Sequence, residues 1–157
     1  MPHVQIFTIG FTRKSARKFF GLLKRSGTKR IVDVRLNNVS QLAGFAKRED
    51  LQYFAETICG IGYVHVPELA PTQPMLDAYR NEGGGWPGFE REFIQLMRRR
   101  KVEESVPKSL INGGCLLCSE DQPHQCHRRL VAEYLTEKWG GDVAVEHLGG
   151  SASPTGE

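Results

Sequence analysis

Five short apolar, β-rich runs recur along this chain, separated by stretches with helical spacing, and that alternation limits the fold more than any other feature. The runs fall at residues 4–9, 30–35, 63–66, 114–118 and 142–148. Helical spacing marks a segment starting near Ala16 and stopped by Gly27, then residues 48–59, 75–79, 89–100 and 123–139. Short strands alternating with helices predict an α/β domain with a mostly parallel sheet of about five strands and helices on both faces. The second run is nearly all apolar until its charged end, as in a strand covered on both sides.

Each helical stretch carries one apolar stripe. Ala16, Phe19, Phe20 and Leu23 form the first. Leu51, Phe54, Ala55 and Ile58 form the second, with Cys59 in the same pattern and expected in the core. Phe89, Phe93, Leu96 and Met97 form the next, and Leu130, Val131, Tyr134 and Leu135 the last. Gly83-Gly84-Gly85-Trp86-Pro87 is expected to be irregular, and residues 102–112 to be a connector. Residues 1–148 are expected to form one domain and 149–157 a disordered tail.

The 157 residues can bury a core without staples, and 39% apolar and 25% charged residues are ordinary for a soluble protein. No apolar run reaches the length of a membrane span and no leader pattern opens the chain, so the expected address is cytoplasmic, with no membrane partner. There, the thiols of Cys59, Cys115, Cys118 and Cys126 are expected to be reduced. The net charge of +3 is mild, but residues 11–30 hold eight cations and no acid. That run reads as a solvated helix face, with a phosphate-attracting surface as the alternative.

The chemistry concentrates where the fourth run meets the last helix: Cys118-Ser119-Glu120-Asp121-Gln122-Pro123-His124-Gln125-Cys126-His127-Arg128. Ligands of open α/β sheets bind at the carboxyl ends of the strands. That edge is expected to gather Gly10 and Thr12, Asp33 with Arg35, His65 with Glu68, and Cys118 with Glu120. Asp121 or Pro123 would open the final helix, placing His124, Cys126, His127 and Arg128 in its first turns. Free N–H groups there, with Arg35 and Arg128, would suit a phosphate or carboxylate. Asp33 and Glu120 are the candidate acid/base or nucleophile pair, unless Asp33 is tied to an arginine. Cys126, beside His127 and Arg128, is a candidate thiolate or a packed core residue.

Metal binding through Cys115, Cys118, Cys126 and His127 is disfavoured by spacing. Strand alternation sends Cys115 and Cys118 to opposite faces, and adjacent residues on a helix diverge by about 100°. No metal is therefore assigned, and the cofactor is left open.

Thr8-Ile9-Gly10-Phe11-Thr12, Asp33-Val34-Arg35, Ser40 with Phe45, and Leu117-Cys118-Ser119-Glu120 followed by Cys126-His127-Arg128 resemble the DUF488 family. Arg35-Leu36-Asn37-Asn38-Val39-Ser40-Gln41-Leu42-Ala43-Gly44-Phe45 is similar to one branch of it. The resemblance implies an α/β domain from near Ile6 to Leu148 and brings no assigned reaction. Phe11-Thr12 stands where many members have His-Ser, and Asn37-Asn38 replaces a common loop proline. Cys115 is outside the family motif.

The functional expectation is a small hydrolase or group transferase acting on a phosphate-bearing substrate, a nucleotide or nucleic acid. Asp33, Glu120, Cys126 and His127 would be catalytic, and Gly10, Thr12, Arg35, Ser40, Cys118 and Arg128 would bind substrate. The alternatives are a non-catalytic nucleic-acid binder, and a metal-dependent or redox protein using Cys118, Cys126 and His127.

Overall fold

A computed structural model describes residues 4–37, 44–81, 85–118 and 126–149. The elements run β1 (Val4–Gly10), α1 (Ala16–Ser26), β2 (Arg30–Asp33), α2 (Arg48–Phe54), β3 (Gly62–His65), α3 (Gln73–Asn81), α4 (Gly85–Arg100), α5 (Val102–Ser105), α6 (Lys108–Ile111), β4 (Gly114–Cys118), α7 (His127–Trp139) and β5 (Val143–His147). The five strands form one sheet in the order β3-β2-β4-β1-β5, and every pairing is parallel. The α/β expectation holds.

Alternation along the central strands sorts the core into two layers. Ile6, Val32, Leu116 and Cys118 face a layer with Met75, Phe89, Phe93, Met97, Leu130 and Leu135. Phe7, Ile9, Ile31, Cys115 and Leu117 face Phe19, Phe20, Leu23, Leu51 and Ala55. α1 and α2 thus cover one face, and α3 to α7 the other. The opposite placement of Cys115 and Cys118 follows from the same alternation.

Local chemistry sets the helix limits. Ser15 caps α1 by accepting a hydrogen bond from the Lys18 N–H, and Gly27 closes it in the left-handed region at φ 81°. The 48–59 segment is α-helical only to Phe54, then widens into a π turn over Ala55–Cys59. The widened turn rotates the stripe, so Ile58, expected inward, is 45% exposed, while Leu51 and Ala55 are buried and Cys59 is partly buried.

Two stretches expected to lack regular structure are helical. α4 begins at Gly85 and takes in Trp86 and Pro87. Proline needs no N–H partner in a first turn, and Trp86 stacks on Phe89 with ring centroids 5.3 Å apart. Residues 102–112 form α5 and α6, held by Val102 and Ile111 in the core. Gly83 and Gly84, and residues 150–157 of the expected tail, lie outside the described residues. Among the described residues no helix is long and apolar enough to cross a membrane.

Candidate functional site at the carboxyl edge of the sheet

Thr8 and Gly10 stand on β1, paired with strands on both sides. Gly10 is in register with Cys118, and Thr8 with His147. The Thr8 hydroxyl oxygen lies 2.6 Å from Nδ1 of His147. Arg128, fully buried in the first turn of α7, donates Nε–H to Thr8 Oγ1 at 3.2 Å and a terminal N–H to Cys118 Sγ at 3.4 Å. A guanidinium can only donate. Thr8 therefore accepts from Arg128, and its own hydrogen is available to Nδ1 of His147. Burial, and then the Arg128 charge, hold the His147 pKa below its ordinary value, which suits that neutral acceptor.

A second group forms at the end of β2. Arg35 Nε–H and Nη2–H donate to the two Asp33 carboxylate oxygens, each at 2.8 Å, and the Arg35 backbone N–H adds a bond of 3.1 Å. Tyr63 donates its hydroxyl to Asp33 Oδ2 at 2.6 Å. Asp33 is fully buried and Arg35 nearly so. The guanidinium also stands 5.3 Å over the Phe11 ring. β2 ends at Asp33, short of the expected Arg35, although the Val34 N–H still bonds to the Leu117 carbonyl of β4.

The two groups meet through His127. Its Nε2 lies 2.7 Å from the Val34 carbonyl oxygen, between Asp33 and Arg35. A carbonyl only accepts, so Nε2 carries the hydrogen and Nδ1 keeps its lone pair. Burial pushes the His127 pKa down to about 4, against the pull of the Val34 bond, so the ring is neutral at pH 7.

The helix start differs from expectation. α7 begins at His127, and Cys126 is its cap residue in extended backbone (φ −140°, ψ 140°). Cys126 and His127 therefore do not sit side by side on a helix, and the divergence of about 100° expected there does not apply. Their ligand atoms and Cys118 Sγ all lie within 4.8 Å of one another. The Cys118 and Cys126 sulfurs are joined as a disulfide, with Cα atoms 7.5 Å apart. This pair is thus drawn in the oxidised form where reduced thiols were expected, and the strand end and helix start are what bring the two sulfurs together. Cys59 and Cys115 are free. Burial raises both of their pKa values, Cys115 the more strongly, which keeps them as thiols.

Of the residues singled out in the sequence, Asp33, Arg35, Gly10, Cys118, Cys126, His127 and Arg128 thus line one edge. Thr12 lies two residues beyond β1, partly buried. Glu120 and Ser40, with Asp121, Pro123 and His124, lie outside the described residues. His65 is at the same edge, its Nε2 2.7 Å from the Arg35 carbonyl oxygen. Tyr63 and His147 were not singled out. His147 meets Thr8 only through the β1–β5 pairing, which no local pattern announces, and Tyr63 reaches Asp33 across the β2–β3 pair.

The model for the domain of unknown function DUF488 matches residues 15–135. The chain belongs to the DUF488 family. The match takes in α1 through most of α7, and β1 with the Thr8–Thr12 motif precedes it. No curated protein matches the chain, and no solved structure matches it either. The DUF488 description carries no reaction.

Proposed function

We propose that this DUF488 chain is a thiol-based redox protein in which Cys118 and Cys126 alternate between dithiol and disulfide. The observation that carries the reading is the joined sulfur pair, with the Arg128 guanidinium 3.4 Å from Cys118 Sγ. A buried fixed cation favours thiolate at Cys118 when the pair is reduced. Both cysteines are nearly enclosed, at 2% and 3% exposure, so the fitting oxidant is a small hydroperoxide rather than a protein disulfide. Cys118 sulfur attacks the peroxide, an S–O bond forms and the O–O bond breaks, releasing an alcohol or, from hydrogen peroxide, water. The Cys126 thiol then displaces water from the sulfenic acid and closes the disulfide. The two thiols lose two electrons and two protons, and the peroxide takes both.

Counting thiols tests this. The unfolded, fully reduced chain presents four thiols. After one equivalent of hydrogen peroxide two should remain, mapped by mass spectrometry to Cys59 and Cys115. Retention of free thiol at Cys118 and Cys126 under peroxide would remove the reading.

The phosphate-substrate reading draws less from this geometry. Its two guanidiniums are buried and engaged inside the protein, Arg35 on Asp33 and Arg128 on Thr8 and Cys118. A described groove of about 320 Å³ opens at the other end of the sheet, between Lys108, Asn112, Trp139 and Val143. What favours a phosphate-bearing partner is the surface of α1, where Arg17, Lys18, Lys24 and Arg25 are exposed, flanked by exposed Arg13 and Lys29. Binding of single- or double-stranded nucleic acid that weakens steeply with salt and survives Cys118→Ser would support this second reading.

A further inference from the structure

We propose that Cys118, Cys126 and His127, when the sulfurs are reduced, form a site for a zinc-type divalent ion, with Cys118 Sγ, Cys126 Sγ and His127 Nδ1 as ligands. The three ligand groups already lie within 4.8 Å of one another. Two thiolates and one imidazole are the soft and borderline donors that zinc takes, and three protein ligands leave a fourth position for water or a substrate atom.

Two further features fit an ion. First, metal-bound imidazoles commonly donate their other ring N–H to a carbonyl, which fixes tautomer and orientation. His127 has that bond to the Val34 carbonyl at 2.7 Å. Second, Cys118 Sγ receives a hydrogen bond from Arg128, which is itself oriented by Thr8. A donor on a thiolate tempers its charge without displacing it from a metal.

The site comes from the end of β4 and the start of α7. It is enclosed but abuts the buried Asp33–Arg35 pair through Val34. An ion there would sit at the carboxyl edge, where parallel sheets place their chemistry.

This inference shares residues with the redox reading but does not rest on it, since the ligands serve whether or not the pair ever cycles. The test uses the full chain, reduced and stripped with chelator, titrated with Co²⁺ and then Zn²⁺. We expect sulfur-to-cobalt charge-transfer absorption saturating near one equivalent and displaced by Zn²⁺. Cys118→Ser and Cys126→Ser should each abolish the band, His127→Ala should weaken cobalt binding by more than about 10-fold, and Cys59→Ser should leave it intact. X-ray absorption on the zinc-loaded wild-type chain needs no variant, and should show two sulfur neighbours at about 2.3 Å with nitrogen or oxygen completing the shell. Absence of the cobalt band, its persistence in the Cys118→Ser/Cys126→Ser double variant, or a zinc shell without sulfur would each overturn the site. A chain that binds zinc through two sulfurs yet keeps its thiols under peroxide supports the site and removes only the redox reading. Disulfide formation with no cobalt band does the reverse.

Discussion

The guanidinium of Arg35 and the carboxylate of Asp33 face one another in a two-pronged contact, both bonds 2.8 Å long, with almost no water access to either. Tyr63 takes a further lone pair of the same carboxylate. The sequence left two roles open for Asp33, and this geometry favours the one in which an arginine ties it down.

Arg35→Ala should therefore act first on stability. Removing one partner leaves Asp33 buried and uncompensated, at a cost of about 3–5 kcal/mol. Urea unfolding should show that loss, and Tyr63→Phe should cost less, about 1–3 kcal/mol. An Arg35→Ala chain as stable as wild type would mean that water reaches Asp33.

The Thr8 hydroxyl joins His147 to Arg128, so Thr8→Val should cost about 1–3 kcal/mol by stranding a buried donor and acceptor. It should also loosen Arg128 from Cys118. The pH at which the reduced Cys118 thiol becomes reactive toward peroxide should then rise, which stopped-flow oxidation would read.

Tyr134 donates to Glu103 at 2.7 Å, and that bond holds the Glu103 carboxyl below its ordinary pKa. Burial and the same carboxylate push Tyr134 up to about 12. A carboxyl with a depressed folded pKa adds stability above its unfolded pKa and loses it as pH falls through the folded one. Tyr134→Phe should therefore destabilise the chain more at pH 7 than at pH 3. Paired urea titrations at the two pH values check the sign.

A β-carbon at Gly114 would come within 2.8 Å of Val32 Cγ2 and 3.1 Å of the Ile111 carbonyl oxygen. Gly114→Ala should cost about 1–3 kcal/mol through overpacking. Gly60→Ala meets open space but sits at φ 67°, so its cost should be about 1–2 kcal/mol from backbone alone. Thermal melts of the two variants separate the causes.

Strand identity, sheet class and the inward faces of α4, α7 and, apart from exposed Ala16 in its first turn, α1 were legible, because two-residue and helical periods differ and the core obeys them. The convergence of Asp33, Arg35, Cys118 and Arg128 was legible from parallel topology alone. The start of α7 was not. Asp121 and Pro123 are good helix openers, yet the described helix starts at His127, after an extended Cys126. That local shift is what lets Cys126 and His127 approach the same point, and it reverses the spacing objection to a shared ligand set. The π turn at Ala55–Cys59 was equally hidden, since one added residue per turn leaves no mark in composition.

β4 lies between β1 and β2, although the chain makes it fourth. The two earliest strands thus share no ladder, and the strand that hydrogen-bonds to both is complete only once residues 114–118 have been synthesised. In a nascent chain, the hydrogen-bonded ladders that join β1 to the β2–β3 pair come only with that late insertion. Truncations ending before Gly114 should remain protease-sensitive, and protection should arrive in one step when β4 is added.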